Sequence, residues 1–273
     1  MIAIGKAAFG VIATLLFIYL VLVGALFWFQ RDFFYPAPKT IPTRPEPGFD
    51  DIRIRTSDGL LLRAFHHPAR AGLPTLVFFH GNASDLDGSE YATRMFAAQG
   101  YGVLAPEYRG YGGNPGSPDE QGLYRDGDTA LAWLTAKGVS ASEVVAIGNS
   151  LGSGVATEMA SRHHLAGLVL ISGFASLPRV AREHYPFVPA GLLVLDRYDN
   201  VAKLPSISCP ILLLHGTSDT VASADNSRAL AKAQPGAQLY LVPGVGHELA
   251  FLDLSQSTIL AWLHSGAITG TSK

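Results

Sequence analysis

Gly148-Asn149-Ser150-Leu151-Gly152 follows the apolar run Val144–Ile147 and precedes a helical pattern. A serine with glycines two residues before and two after, at the end of a strand, marks a turn too sharp for side chains at the flanking positions. Such a turn holds the serine in strained backbone with its hydroxyl exposed. That hydroxyl is a poor nucleophile until a histidine takes its proton and a carboxylate orients the histidine. For G-x-S-x-G between strand and helix, the partners come later in the chain, in the order Ser, acid, His. Ile211–Leu214 ends in a loop bearing Asp219; after one helical segment and the run Leu239–Val242, the next loop brings His247. The spacing permits acyl transfer through Ser150, with His247 as base and Asp219 as its orienter.

Acyl transfer also needs backbone N–H donors for the developing oxyanion. Leu151, directly after the serine, supplies one. The second is expected from the loop after Thr75–Phe79, His80-Gly81-Asn82-Ala83, with Asn82 as the donor and Ala83 as the alternative. Rival acids are Asp196 and Asp199 in the segment after Leu168–Ile171, and Asp225 and Asp253, which read as helix-surface residues. Position favours Asp219 over each. His215 lies within a strand end and reads as a core residue. The pairs His66-His67 and His163-His164 point in different directions, and His184 and His264 lack partners at ligand spacing. No metal or cofactor site is expected.

Elements must position these residues. Ile52–Thr56 and Leu60–Phe65 flank the turn Ser57-Asp58-Gly59 as a hairpin. Short apolar runs follow at Thr75–Phe79, Gly102–Ala105, Val144–Ile147, Leu168–Ile171, Ile211–Leu214 and Leu239–Val242. Between them lie helical faces, such as Leu123, Ala130, Leu131 and Leu134, or Leu252, Ile259, Leu260 and Leu263. A hairpin followed by repeated strand–helix units predicts an α/β domain. Its sheet is mostly parallel, of about eight strands, and flanked by helices, with chemistry at the strands' C-terminal ends.

With 273 residues, 48% of them hydrophobic, the chain has ample material for a core. A net charge of −2 and 15% charged residues leave no basic face for nucleic acid. Its single cysteine, Cys209, excludes an intrachain disulfide and a cysteine-based zinc site. Beside Pro210, at the start of ILLL, it reads as a buried structural thiol.

Ala7 to Phe29 are 23 consecutive uncharged positions, and a bilayer's hydrocarbon core takes about 20 residues of helix. Trp28, Phe29, Phe33, Phe34 and Tyr35 then cluster as an interfacial belt. Residues 1–35 therefore read as one uncleaved membrane anchor. The competing reading is a secretory signal, whose apolar core runs about 7–15 residues. Val23-Gly24-Ala25 would be a poor cleavage site, with large aromatics directly after it. The short N-terminus and Asp32 favour an inside N-terminus, with the main domain outside the cytoplasm. Pro36, Pro38, Pro42, Pro45 and Pro47 make 36–48 an extended linker. The domain is expected over 49–265 and a tail over 266–273, and a chain starting near Phe49 is expected to be soluble and active.

HGNA (80–83), EYRGYGGNPGSP (107–118), GNSLG (148–152), DRYDN (196–200), HGTSD (215–219) and GVGHE (244–248) resemble the α/β-hydrolase superfamily. More closely, they look like its membrane-anchored BEM46 and YfhR-like group, which includes relatives of ABHD12, ABHD13 and ABHD17. The likeness covers residues 49–265. It implies a Ser-Asp-His triad, carried onto Ser150, Asp219 and His247, and esterase, lipase or thioesterase chemistry without a cofactor. Two positions depart from the group's pattern: Glu107 stands where D-Y-R-G has aspartate, and Glu248 follows His247 where asparagine is commoner. Tyr108, Arg109 and Tyr111 either line the pocket or support its loop.

Three readings follow. The favoured one is a membrane-anchored serine hydrolase acting on esters or thioesters of lipid or acyl substrates. A peptidase on the same scaffold usually adds a domain to select peptides, and only a short cap, within Ser172 to Cys209, is available here. A membrane-tethered binding protein that has lost the chemistry would not need these residues in place. The apolar stretch Tyr185–Leu195 either packs on the sheet or flanks an acyl groove near lipid.

Overall fold

The computed structural model describes residues 2–38 and 40–268. Two helices, α1 (Ile2–Trp28) and the short α2 (Gln30–Phe34), lead into a hairpin of β1 (Asp50–Arg55) and β2 (Leu61–His67). Strands and helices then alternate: β3 (Thr75–Phe79), α3 (Leu86–Ala98), β4 (Gly102–Pro106), α4 (Glu120–Ala136), β5 (Val144–Asn149), α5 (Leu151–Arg162) and β6 (Gly167–Ile171). After β6 come α6 (Leu177–His184), α7 (Ala190–Leu193) and α8 (Asn200–Lys203), then β7 (Ile211–Gly216), α9 (Asp225–Ala233), β8 (Gln238–Val242) and α10 (Asp253–His264).

The strands form one sheet in the order β1-β2-β4-β3-β5-β6-β7-β8. The pairs β1–β2 and β2–β4 are antiparallel, and the rest are parallel. Every residue of β3 to β7 is buried, because helices cover both faces. Alternation sorts the side chains into two layers. Val77, Phe79, Ala146, Leu168, Leu170 and Leu213 pack on one face, while Leu76, Phe78, Val145, Ile147, Val169 and Leu212 pack on the other. The helices begin where short polar side chains can cap them. Asp85 accepts from the Gly88 N–H and Asp119 from the Gly122 N–H, each a cap worth about 1 kcal/mol.

After β3 the chain moves outward to β4, then returns past β3 to β5. The order reverses at β3, so the loops leaving β3 and β5 diverge and open a crevice at their C-terminal ends. The residues of both candidate oxyanion donors and the serine lie on those two loops.

The N-terminal boundaries differ from the sequence expectation. Residues 36–48 are a strap bound to the domain rather than a free linker. Arg63 donates to the carbonyls of Pro42 (2.7 Å) and Thr43 (2.8 Å), Gly112 N–H donates to Pro38, and Thr43 N–H donates to Asp87. Tyr35 is 5% exposed within the main core cluster. Extended proline-rich backbone has unpaired carbonyls, and the domain's own donors satisfy them. At the other end Ile268 is buried against Gly167 and Trp262, so packing continues three residues past 265. The rest of the expected tail, 269–273, lies outside the described residues, as does Lys39 of the strap.

Candidate active site

Ser150 joins β5 to α5 with φ +50° and ψ −115°, a conformation rarely adopted by residues other than glycine. Its neighbours show why the turn requires glycine. A Cβ on Gly152 would strike the Phe79 carbonyl oxygen, and one on Gly148 would strike the Gly152 carbonyl and Ser153 Cα. The elbow is wedged between β3 and α5, which keeps the serine hydroxyl fixed at the pocket floor.

The His247 and Asp219 loops are tied together by backbone. Thr217 N–H donates to Val242, Ser218 N–H donates to Val245 (both 2.9 Å), and Gly244 N–H reaches Thr217 Oγ1 at 3.0 Å. This close approach requires a bare α-carbon at Gly216, where a Cβ would meet the Val245 carbonyl. His247 Nδ1 donates to Asp219 Oδ2 at 2.7 Å, and its Nε2 lies 2.9 Å from Ser150 Oγ. With the Nδ1 proton held by the carboxylate, Nε2 offers a lone pair to the serine O–H. The three sequence-predicted residues therefore form one continuous hydrogen-bonded line.

Asp219 is held from several sides. Its Oδ1 accepts from the N–H groups of Val221 (2.8 Å) and Ala222 (3.0 Å), and His215 Nε2 stands 3.3 Å from Oδ2. Burial alone would raise this carboxyl, but the hydrogen bonds from His215, His247 and Ala222 override it and hold it well below the usual range. Sequence reading assigned His215 to the core and missed its contact with the acid. The ring is fully buried, its Nε2 faces the Ala222 carbonyl as well as Asp219, and Nδ1 lies 2.6 Å from Ser227 Oγ. With only acceptors at Nε2, that nitrogen carries a proton and Ser227 can donate to Nδ1. The i, i+4 spacing of His215 and Asp219 across a strand end was the available signal.

The loop after β3 is a turn closed by Ser84 N–H to the Gly81 carbonyl (3.2 Å), with Asn82 at its first central position. Asn82 Oδ1 accepts from Tyr111 Oη at 2.6 Å, so the side chain braces the turn. A Cβ on Gly81 would come within 3.1 Å of Asn149 Nδ2 and 3.4 Å of Ser150 Cβ, so the loop lies directly against the elbow. Leu151 opens α5, where a helix leaves its first N–H groups without intrahelical partners.

Beneath this loop sits a second histidine–carboxylate pair. His80 Nε2 lies 2.8 Å from Glu107 Oε1, and Nδ1 lies 2.8 Å from the Gly81 carbonyl. Leu86 N–H donates to the other Glu107 oxygen. Burial lowers the His80 pKa, yet the facing Glu107 and the Gly81 carbonyl outweigh it and raise the value. Tyr108 donates to the His80 carbonyl, and Arg109 is locked between Asp126 and Asp58. Loop support is therefore what Glu107, Tyr108, Arg109 and Tyr111 do in this structure, with all four side chains buried.

The other candidates are engaged elsewhere. Asp196 accepts from Tyr35 Oη and Arg31, Asp199 caps α8, Asp225 pairs with Arg228, and Asp253 pairs with Arg94. His66 packs on Trp133, His67 faces the Ala97 carbonyl, His163 faces Asp128, and His264 packs near Tyr101. Burial pushes the Cys209 thiol up to about 11, as befits a packed structural group.

A pocket of about 610 Å³ opens above Ser150. Its apolar wall includes Phe174, Leu177, Val180 and Phe251, and also Phe33 and Phe34 of α2. The last two were read from sequence as part of an interfacial belt. Nothing local to residues 33–34 announces that they fold back onto a site formed over 100 residues later.

A family model described as the alpha/beta hydrolase fold matches residues 74–193. Uncharacterized protein Rv2307c of Mycobacterium tuberculosis is 35% identical over 224 residues, covering 80% of each chain. Alpha/beta hydrolase domain-containing protein 17B of Xenopus laevis is 32% identical over 180 residues, 63% of this chain and 60% of its own. Among solved structures, the Pyrococcus furiosus esterase Pf2001 superposes with a TM-score of 0.67 at 18% identity, covering 85% of this chain and 96% of that one. Sheet order, elbow, sequence relatives and fold agree: the chain belongs to the α/β-hydrolase superfamily.

Proposed function

We propose that the chain is a serine hydrolase that cleaves carboxylic esters or thioesters of acyl and lipid substrates, held at a membrane by α1. The observation that carries this reading is the unbroken line from Ser150 Oγ through His247 to the buried, ionised Asp219, starting on a strained elbow. Ser150 Oγ attacks the carbonyl carbon as His247 Nε2 takes its proton. The tetrahedral oxyanion is met by the Leu151 and Asn82 backbone N–H groups. Collapse breaks the bond to the leaving oxygen or sulfur, which receives the proton from His247. Water then attacks the acyl-enzyme by the same route in reverse, releasing the acid and restoring Ser150. Asp219 keeps the imidazole in the tautomer that this needs and stabilises the imidazolium formed at each step.

The membrane part of the proposal rests on length and composition. Lys6–Trp28 is a 23-residue apolar helix with none of its apolar window buried by protein. Tyr19, upstream of Val23-Gly24-Ala25, donates through its Oη to the Phe187 carbonyl, which supports retention of the helix over its removal as a signal. The N-terminus is placed inside and the hydrolase domain outside the cytoplasm, a topology that protease protection of sealed vesicles tests directly. A fluorophosphonate tests the chemistry: it should label the wild-type chain and not Ser150→Ala. Equal labelling or equal ester turnover in the two proteins would sink the assignment.

A further inference from the structure

Between the end of α1 and the segment α6–α7 lies a second cavity, of about 270 Å³. Val23, Leu26 and Phe27 form one wall, and Ala181, Val188 and Leu193 form the opposite one. This space adjoins the pocket above Ser150: Phe33, Phe34, Val180 and His184 line both.

The two walls are clamped at their edges by polar contacts, so the gap between them is held open. Gln30 Nε2 donates to the carbonyls of Phe27 (2.8 Å) and Leu193 (3.3 Å), and Leu195 N–H donates back to Gln30 Oε1 at 2.9 Å. Arg31 and Tyr35 grip Asp196, and Tyr19 Oη holds the Phe187 carbonyl. A largely apolar cleft held open in this way favours an apolar occupant over water. The outer surface shows where the filling comes from. Leu192 is 86% exposed, Phe187 65% and Leu195 56%, beside a helix whose apolar face is bare. Cap and anchor thus present one contiguous hydrophobic surface of the kind that meets lipid.

We propose that this cavity is the acyl-chain subsite of the Ser150 pocket. A long aliphatic chain enters from the lipid leaflet alongside α1 and lies between α1 and α7, with its ester or thioester carbonyl at Ser150. The proposal rests on the serine-hydrolase reading above, and it makes the anchor part of the substrate site as well as a tether. For monomeric substrate taken from water, binding there should reward length by up to about fourfold in kcat/KM for each methylene that the cavity takes in. For a chain drawn from lipid, which is as apolar as the cavity, discrimination by length comes from how well the chain fits between the walls.

The test uses the full chain in phosphatidylcholine vesicles. It reads the ratio of kcat/KM for p-nitrophenyl palmitate to that for the butyrate. Ala181→Phe, which fills the cavity away from Ser150, should lower this ratio at least tenfold. Leu193→Ala, which enlarges the cavity, should move the preferred chain length upward, and it guards against a misfolded plug being read as support. An unchanged ratio and an unchanged length optimum would overturn the subsite and leave the cavity as a place where bilayer lipid packs. Fluorophosphonate labelling separates the two readings. A wild-type chain that labels at Ser150 but shows no effect of either substitution loses only the subsite, whereas one that neither labels nor turns over either ester loses both.

Discussion

His247–Asp219 and His80–Glu107 are almost the same pair by distance, 2.7 and 2.8 Å, yet their surroundings differ. The difference lies in the second ring nitrogen. That of His247 faces the Ser150 hydroxyl, a donor, from a side chain that is 25% exposed. That of His80 faces the Gly81 carbonyl, an acceptor, with both partners sealed at 0%. A ring flanked only by acceptors holds its protons, while one with an acceptor on one side and a hydroxyl on the other can move them. A histidine next to a carboxylate is therefore no sign of catalysis until its other nitrogen is located.

If the Ser150–His247–Asp219 line moves the proton as proposed, removing it should have the largest effect. Ser150→Ala is expected to cost on the order of 10⁶ in kcat, and adding His247→Ala should cost little more, since the groups act as a unit. Steady-state ester turnover, with active-site titration to exclude trace wild type, checks this. Asp219→Asn should follow at about 10⁴ in kcat through the wrong imidazole tautomer. Glu107→Gln should do the reverse, keeping kcat within about tenfold while costing about 3–5 kcal/mol of stability, because one half of a buried pair is left alone. Chemical denaturation and kinetics on the two variants, run side by side, would break the comparison if the rankings were exchanged.

Removing the strap should touch neither pair's geometry directly. A chain starting at Phe49 loses the burial of Tyr35, worth about 1.5–3 kcal/mol, and the carbonyls that Arg63 donates to. It should be measurably less stable than one starting at Gln30, and urea midpoints of the two chains would show it. The expectation that a chain starting near Phe49 is soluble and active is thereby sharpened to one that it is also less stable.

The pH dependence of stability sharpens the contrast, because the two pairs carry opposite signs. The His80 pKa is raised on folding, so its contribution is fully present below the unfolded value of about 6.5 and is lost as pH rises through the folded pKa. The Tm gap between wild type and Glu107→Gln should narrow toward alkaline pH. Asp219 is lowered on folding, so its contribution is present above about pH 4 and is lost as pH falls through the folded pKa. The gap between wild type and Asp219→Asn should narrow toward acid, and calorimetry across the range reads both. Asp196→Asn should have the smallest effect on chemistry, within about tenfold in rate, since this carboxylate faces Tyr35 and Arg31 and has no histidine. A larger loss would place the acid on the wrong strand.

The sequence alone determined the elbow, the order of the Ser150, Asp219 and His247 loops, and all eight strands. These follow from local rules: short apolar runs of strand length, glycines where backbone must touch backbone, and apolar faces at helical spacing. Period and spacing are properties of the chain within a few residues, so they survive without knowledge of the fold. Only the tertiary structure decided that His215 also leans on Asp219, that His80 and Glu107 form a sealed pair, and that Phe33 and Phe34 wall the pocket. It also decided that residues 36–48 are bound rather than free. Each of these depends on which distant groups the sheet order brings together, as when Arg63 meets Pro42 or Gln30 meets Leu193. A proline-rich stretch has the same local signature whether its carbonyls face water or a buried guanidinium, and the partner 20 or 160 residues away makes the difference.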